Sequence, residues 1–346
     1  MRRIKHTVLK LSFMGMVFFS AICCYSGKAK CLIIAHRGAS GYLPEHTLEA
    51  KAMAHALGAD YLEQDVVLTK DNQPVILHDI YLDEVSDVAQ TFPGRNRPDG
   101  RYYVIDFTLA EIKSLNLTER FDRMKKEVIY SKRFPIDTGI AFKIPTLEEE
   151  IKFIQGLNRS TGRNVGIYVE LKSPRFHRRE GKEMTPIVLD TLEKYGYKDR
   201  HSDCYLQCFD PMELRDLKNK YKSDLKRVQL IAIEEDKIDG IKSQEFAEMF
   251  TRDGLRKIKE YADAIGPHKE GLWEKDKDFK AKYKNFVKNA HALGLKVHPY
   301  TFRSDELPPY VKRFDELLRI FINEFGVDGI FTDFPDKVSH RSSPRT

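Results

Sequence analysis

Four short stretches place histidines, carboxylates and cations at the ends of apolar runs. Ala35-His36-Arg37-Gly38-Ala39 follows Leu32-Ile33-Ile34 and sets a proton-transfer group beside a permanent cation. Gly38 lets the backbone approach a ligand closely. Glu63-Gln64-Asp65 interrupts an apolar run, and strand alternation puts both carboxylates on one face with Gln64 on the other. Two carboxylates facing inward need a basic residue or a divalent metal to neutralise them, and hard oxygen donors suit Mg2+ or Ca2+. Val75-Ile76-Leu77-His78-Asp79 supplies a second histidine. Val169-Glu170-Leu171-Lys172 supplies a third carboxylate, and a second cation on the same face. Singly, each stretch has an ordinary structural reading: a surface loop, a salt bridge inside a barrel, a histidine at a strand end. Together, two histidines, three carboxylates and two cations fit displacement at a phosphodiester. A metal and the cations would offset charge on the nonbridging oxygens, and the histidines would act as base and acid.

These groups need a frame that delivers strand ends to one place. Eight β-branched, apolar runs read as strands: Leu32–His36, Asp60–Leu68, Asn164–Lys172, Asp203–Phe209, Arg227–Ile233, Asp263–Gly266, Leu295–Thr301 and Asp328–Thr332. Amphipathic stretches alternate with them, at Pro44–Leu57, Thr146–Gln155, Lys182–Tyr195, Pro211–Tyr221, Ser243–Tyr261, Lys275–Leu293 and Pro308–Glu324. The alternation predicts an α/β (β/α)8 barrel, whose sites lie at the C-terminal strand ends. A doubly wound open sheet is the structural alternative. Asp83–Lys143 breaks the rhythm with a turn-rich, basic stretch (93–100), and is read as an insertion after the second strand with a short helix near Leu109–Leu115. Tyr300, Gln207 and Phe209 are candidates for shaping the pocket, and His298 reads as a satisfied core histidine.

The 346 residues carry 58 Lys+Arg and 52 Asp+Glu, a formal charge of +6. Arg2, Arg3, Lys5 and Lys10 account for four of those charges. They precede an uncharged stretch from Leu11 to Gly27, the pattern of a secretory signal peptide, placed at 1–26. The basicity that could suggest nucleic acid thus belongs mostly to an export signal, and a nucleic-acid partner is not expected. Cys23 and Cys24 are candidate lipidation sites, but Ile22 is too large for a good lipoprotein box. The remaining Cys31, Cys204 and Cys208 read as free thiols, since Cys204 and Cys208 lie about 13 Å apart along one strand. The expected location is periplasmic or secreted, with membrane contact limited to export or to lipidation.

The stretches IIAHRGASGYLPEHTLEAKAMA, GADYLEQDVVLTKD, VILHD, GIYVELK, YLQCFD, VHPYTFRSDELP and GIFTDFPD resemble the periplasmic type of bacterial glycerophosphodiester phosphodiesterase. The resemblance runs over residues 31–346, the insertion included. It implies a TIM barrel that hydrolyses glycerophosphodiesters, such as glycerophosphocholine and glycerophosphoethanolamine, to sn-glycerol 3-phosphate and an alcohol. It implies His36 and His78 as the acid–base pair. Glu63, Asp65 and Glu170 would be ligands of one divalent metal, Ca2+ before Mg2+, and Arg37 and Lys172 the phosphate-contacting cations. Attack by water and attack by the substrate's own 2-hydroxyl through a cyclic phosphate both fit these residues. A phospholipase-type relative on the same barrel and a surface-binding protein or adhesin using this fold are the competing readings.

Overall fold

The computed structural model describes residues 30–136, 138–233, 238–273 and 278–339, so the signal peptide read at 1–26 lies outside the described residues. Eight parallel strands form one sheet: β1 Leu32–Ala35, β2 Tyr61–Leu68, β3 Gly166–Leu171, β4 Cys204–Cys208, β5 Lys226–Ile231, β6 Ala264–Pro267, β7 Lys296–Val297 and β8 Gly329–Thr332. Their order is β7-β6-β5-β4-β3-β2-β1-β8. The β7–β8 seam is closed by Asp328 N donating to Val297 O (2.9 Å), Phe331 N to Pro299 O (3.1 Å) and Phe302 N to Phe331 O (2.8 Å). This is the expected (β/α)8 barrel. β7 is shorter than predicted, although beyond Pro299 the Tyr300 N still donates to Pro267 O (3.1 Å).

Alternation then builds the site from the bottom upward. Ile34, Tyr61, Tyr168, Val228 and Phe331 form an apolar cluster that fills the barrel interior. Two residues further along their strands come His36, Glu63, Glu170 and Asp333, so a packed aromatic floor lies directly beneath the polar groups. The other strand face, with Ile33, Leu62, Val66, Ile167, Val169, Cys204 and Cys208, joins the main core against the helices. Cys31, Cys204 and Cys208 are free thiols.

Several helices begin or end elsewhere than the sequence suggests. The first runs Leu48–Ala56, not from Pro44, because His46 takes a left-handed φ of 63° and Thr47 then caps Ala50 N. The predicted Ser243–Tyr261 helix is two helices, Ser243–Met249 and Arg252–Lys259. Thr251 caps the second at Gly254 N, and a Cβ at Gly254 would lie 2.1 Å from Glu248 O. Pro308 precedes its helix, which spans Phe314–Leu318 and continues as a π-helical Arg319–Phe325 to a left-handed Gly326. Leu147–Thr161 starts on a Thr146–Glu149 capping box and stops at left-handed Gly162.

After β2 the chain reverses into a three-residue strand, Pro74–Ile76, antiparallel to it. The segment up to Ile144 has its own apolar cluster, in which Leu82, Val85, Phe107, Leu115 and Leu117 pack with Val67, Val75 and Leu77. It contains the helix Leu109–Ser114, begun by a Thr108–Glu111 capping box.

His298 lies wholly buried in the floor. Its Nδ1 is 2.9 Å from the Tyr168 hydroxyl, and its Nε2 has no partner, so it is a half-satisfied core histidine. Burial pulls this imidazole down to about 4. The unfolded chain takes up the proton near pH 6.5, before the fold does, so the stabilising contribution is complete above 6.5 and is lost as pH falls toward 4. The expected result is an acid destabilisation that is shallower in His298→Gln, by up to about 1.4 kcal/mol per pH unit. Urea midpoints at pH 7 and pH 5 measure it, and equal slopes in the two proteins contradict it.

Candidate active site

The first strand ends at Ala35, and His36 and Arg37 turn inward over the barrel mouth. Arg37 has a left-handed φ of 56°, and Gly38 follows at 91° with its Cα packed on Ala50, where a Cβ would sit 2.9 Å from backbone. On β2, Glu63 and Asp65 share the inner face. Gln64 points outward, where its amide donates to Glu150 (2.9 Å) and its carbonyl accepts from Tyr168 N (3.0 Å). Buried Lys51 pairs with Glu150 (2.7 Å) and donates to the main-chain oxygen of Glu63, which holds this strand in place from behind.

Glu63, Asp65 and Glu170 are all buried, and one carboxylate oxygen from each lies within 4.8 Å of the others. Glu63 accepts from Arg37 N (2.8 Å) and Gln207 Nε2 (3.0 Å), so Gln207 steadies a carboxylate. Burial, then Asp65 and Glu170, hold the Glu63 carboxyl well above its ordinary range. Burial pushes Glu170 up to about 8, with Lys172 opposing and Asp65 adding to the rise. Burial would also raise Asp65, but Lys172 and His46 outweigh it and keep this carboxylate ionised, while its Oδ1 has no hydrogen-bond partner. Three crowded carboxylates, two of them pushed up in pKa and the third ionised with an oxygen unspent, fit a divalent cation.

Two cations border the trio. Lys172 Nζ is 2.8 Å from Glu170 and 3.9 Å from Asp65. Arg37 Nη1 pairs with Glu45 (2.8 Å), and its buried Nε, 3.7 Å from Asp65, has no hydrogen-bond partner. Both histidines are backed by aspartates: His36 Nδ1 to Asp333 (2.7 Å) and His78 Nδ1 to Asp79 (2.8 Å). Asp333 and Asp79 are held well below the usual carboxylate range: against burial, the first by Arg303 and His36, the second by His78 and Arg120. An ionised carboxylate only accepts, so each Nδ1 carries the hydrogen and each Nε2 is the ring nitrogen without one. Burial and Arg37 pull both imidazoles down to about 4.

A model of the glycerophosphoryl diester phosphodiesterase family matches residues 36–337. The chain belongs to that family. It is 45% identical over 324 residues to a glycerophosphodiester phosphodiesterase of Haemophilus influenzae, with 89% of each chain covered. It is 40% identical over 320 residues to one of Treponema pallidum, covering 88% of this chain and 90% of the relative. Its activity is that of a glycerophosphodiester phosphodiesterase. The fold is shared with a solved Silicibacter pomeroyi structure of the same description (TM-score 0.66, 23% identity, 91% of this chain and 93% of that one). It is shared too with an Oleispira antarctica phosphodiesterase solved with the product sn-glycerol-3-phosphate (TM-score 0.59, 22% identity, 90% and 96%).

In this family member the site opens into a cavity of about 500 Å3 lined by His78, Glu170, Lys172, Phe209 and Tyr300 among others. Phe209 and Tyr300, picked from sequence as pocket-shaping, meet edge to face at 6.0 Å. A larger cavity of about 980 Å3 lies at the opposite end of the strands, against Leu32, Tyr205 and Asp328, and holds none of the seven predicted site residues. Sequence reasoning missed the second layer: Asp333, Asp79, Glu45, His46 (2.8 Å from Asp65) and Arg120. Asp333 had a usable signal, being the acid just past β8.

Proposed function

We propose that the enzyme hydrolyses glycerophosphodiesters such as glycerophosphocholine and glycerophosphoethanolamine to sn-glycerol 3-phosphate and an alcohol, with a divalent metal, Ca2+ before Mg2+, at Glu63, Asp65 and Glu170. The observation that carries it is two aspartate-backed histidines flanking a buried acidic trio with two cations beside it. When bound, the metal supplies positive charge against the nonbridging oxygens. Arg37, through its unpartnered Nε, and Lys172, through Nζ, hold the phosphodiester from the protein side. One histidine Nε2 takes the proton of the attacking oxygen, water or the substrate's 2-hydroxyl, and the other gives a proton to the departing alcohol. Burial and Arg37 pull both imidazoles well below their ordinary range. The anionic substrate offsets the cations that depress them and so favours the protonated form of the one acting as acid.

The basic-then-apolar residues 1–26 support export, hence a periplasmic or secreted enzyme. Among the described residues, no helix is long and apolar enough to cross a membrane.

A coupled assay for glycerol 3-phosphate release tests the reading. Glycerophosphocholine is expected to be turned over much faster than phosphatidylcholine. Predominant cleavage of the diacyl lipid would establish the phospholipase reading instead.

A further inference from the structure

The carboxylate behind each site histidine is held in turn by an arginine from the segment between Pro74–Ile76 and Leu147–Thr161. On one side His78 Nδ1 meets Asp79 Oδ1 at 2.8 Å, and Asp79 Oδ2 accepts from Arg120 Nη1 at 2.6 Å. On the other, His36 Nδ1 meets Asp333 Oδ1 at 2.7 Å, and Asp333 Oδ2 accepts from Arg133 Nη2 at 2.7 Å. The order of groups is the same twice: imidazole, carboxylate, guanidinium. We propose that Arg120 and Arg133 are positioning residues for the two histidines, so that this segment completes the acid–base pair as well as covering the barrel. The proposal rests on the assignment of His36 and His78 made above.

An aspartate bonded to an imidazole through one oxygen can still swing about its own side-chain bond. A guanidinium on the second oxygen removes that freedom and keeps the carboxylate ionised, which fixes the Nδ1–H tautomer and aims Nε2. Arginine suits the task because its planar fork spans two carboxylates at once. Arg120 also binds Glu45 Oε1 (2.7 Å), the residue that pairs with Arg37, and reaches Glu84 (3.2 Å). Arg133 also binds Asp305 (2.9 and 3.2 Å) and lies over the Tyr130 ring at 3.7 Å. The apolar cluster of Leu82, Val85, Phe107 and Leu117 roots the segment on Val67 and Val75, and Phe134, next to Arg133, packs against the same cluster. The two sides are unequal. Asp333 has a second guanidinium, Arg303 Nε at 2.9 Å, whereas Arg120 is the guanidinium bonded to Asp79.

The test is steady-state kinetics on glycerophosphocholine, with proton NMR of the hydrogen-bonded Nδ1–H resonances. Arg120→Met is expected to lower kcat about 10- to 100-fold, to move KM by less than kcat, and to shift or lose the His78 Nδ1–H signal. Arg120→Lys keeps part of the rate and serves as the probe if the methionine variant does not fold. Arg133→Met is expected to cost only a few-fold until Arg303→Met is added, when the loss approaches that of Arg120→Met. Arg120→Met combined with Asp79→Asn is expected to be no slower than Asp79→Asn alone, because the arginine acts through that carboxylate. Wild-type kcat in folded Arg120→Met, a loss confined to KM, or additive losses with Asp79→Asn would each overturn the proposal. If His36→Gln and His78→Gln keep turnover, the underlying assignment has failed. If they lose it and the arginine variants do not, only the positioning role has failed.

Discussion

His36→Gln is expected to lower kcat by about 10²- to 10⁴-fold, the range for loss of a placed general acid or base, with a native far-UV spectrum and a near-native urea midpoint. The fold tolerates the change because Asp333, the carboxylate that loses its imidazole, keeps Arg133 at 2.7 Å and Arg303 at 2.9 Å. No buried charge is left bare, so the large penalty for breaking a buried ion pair does not arise. His78→Gln is expected to fall in the same range, since Asp79 keeps Arg120. His201→Gln, on the exposed surface, is the control and is expected to match wild type. Turnover within about tenfold of wild type in folded His36→Gln would remove that residue from the proton-transfer role.

The parts of this site that were legible in the sequence are those that strand geometry determines. His36 follows Ile34, Glu63 follows Tyr61 and Glu170 follows Tyr168 by two residues, so each inherits an inward direction from an apolar neighbour already committed to the core. The strand count and the barrel followed from the same alternation. What was not legible depends on distance along the chain. Arg120 meets Glu45 across 75 residues and Arg133 meets Asp333 across 200, and no local period carries that information. Pro74–Ile76 was missed because three residues are too few to show a period. Pro44 misled as a helix start because proline also suits the turn that precedes the left-handed His46. In the sequence Asp79 reads only as the neighbour of His78. Nothing in the order of residues says that its carboxylate folds back onto the adjacent imidazole.

Chelation is expected to abolish turnover, by at least about 10³-fold, with recovery on adding Ca2+ and to a smaller or equal extent Mg2+. The physical reason is the acidic trio. Burial and mutual repulsion hold the Glu63 and Glu170 carboxyls above their ordinary range, and Lys172 pairs with Glu170 at 2.8 Å. A divalent ion in that space would favour the ionised carboxylates and relieve Lys172 of its pairing with Glu170, so loss of the metal would cost the ion's own charge and keep Lys172 tied to Glu170. The ion also binds only the folded chain, so it is expected to raise the unfolding free energy by about 2.7 kcal/mol at 100 times its dissociation constant, a gain read by thermal shift without any assay of activity. Glu170→Gln removes one donor and one proton site together. It is expected to weaken the thermal shift and the rate in parallel, whereas Lys172→Met is expected to lower the rate and leave the shift in place. Full activity in excess chelator, or an unchanged melting temperature on adding either ion, would strip the trio of its role as a metal site and leave Arg37 and Lys172 as the sole charges facing the phosphate.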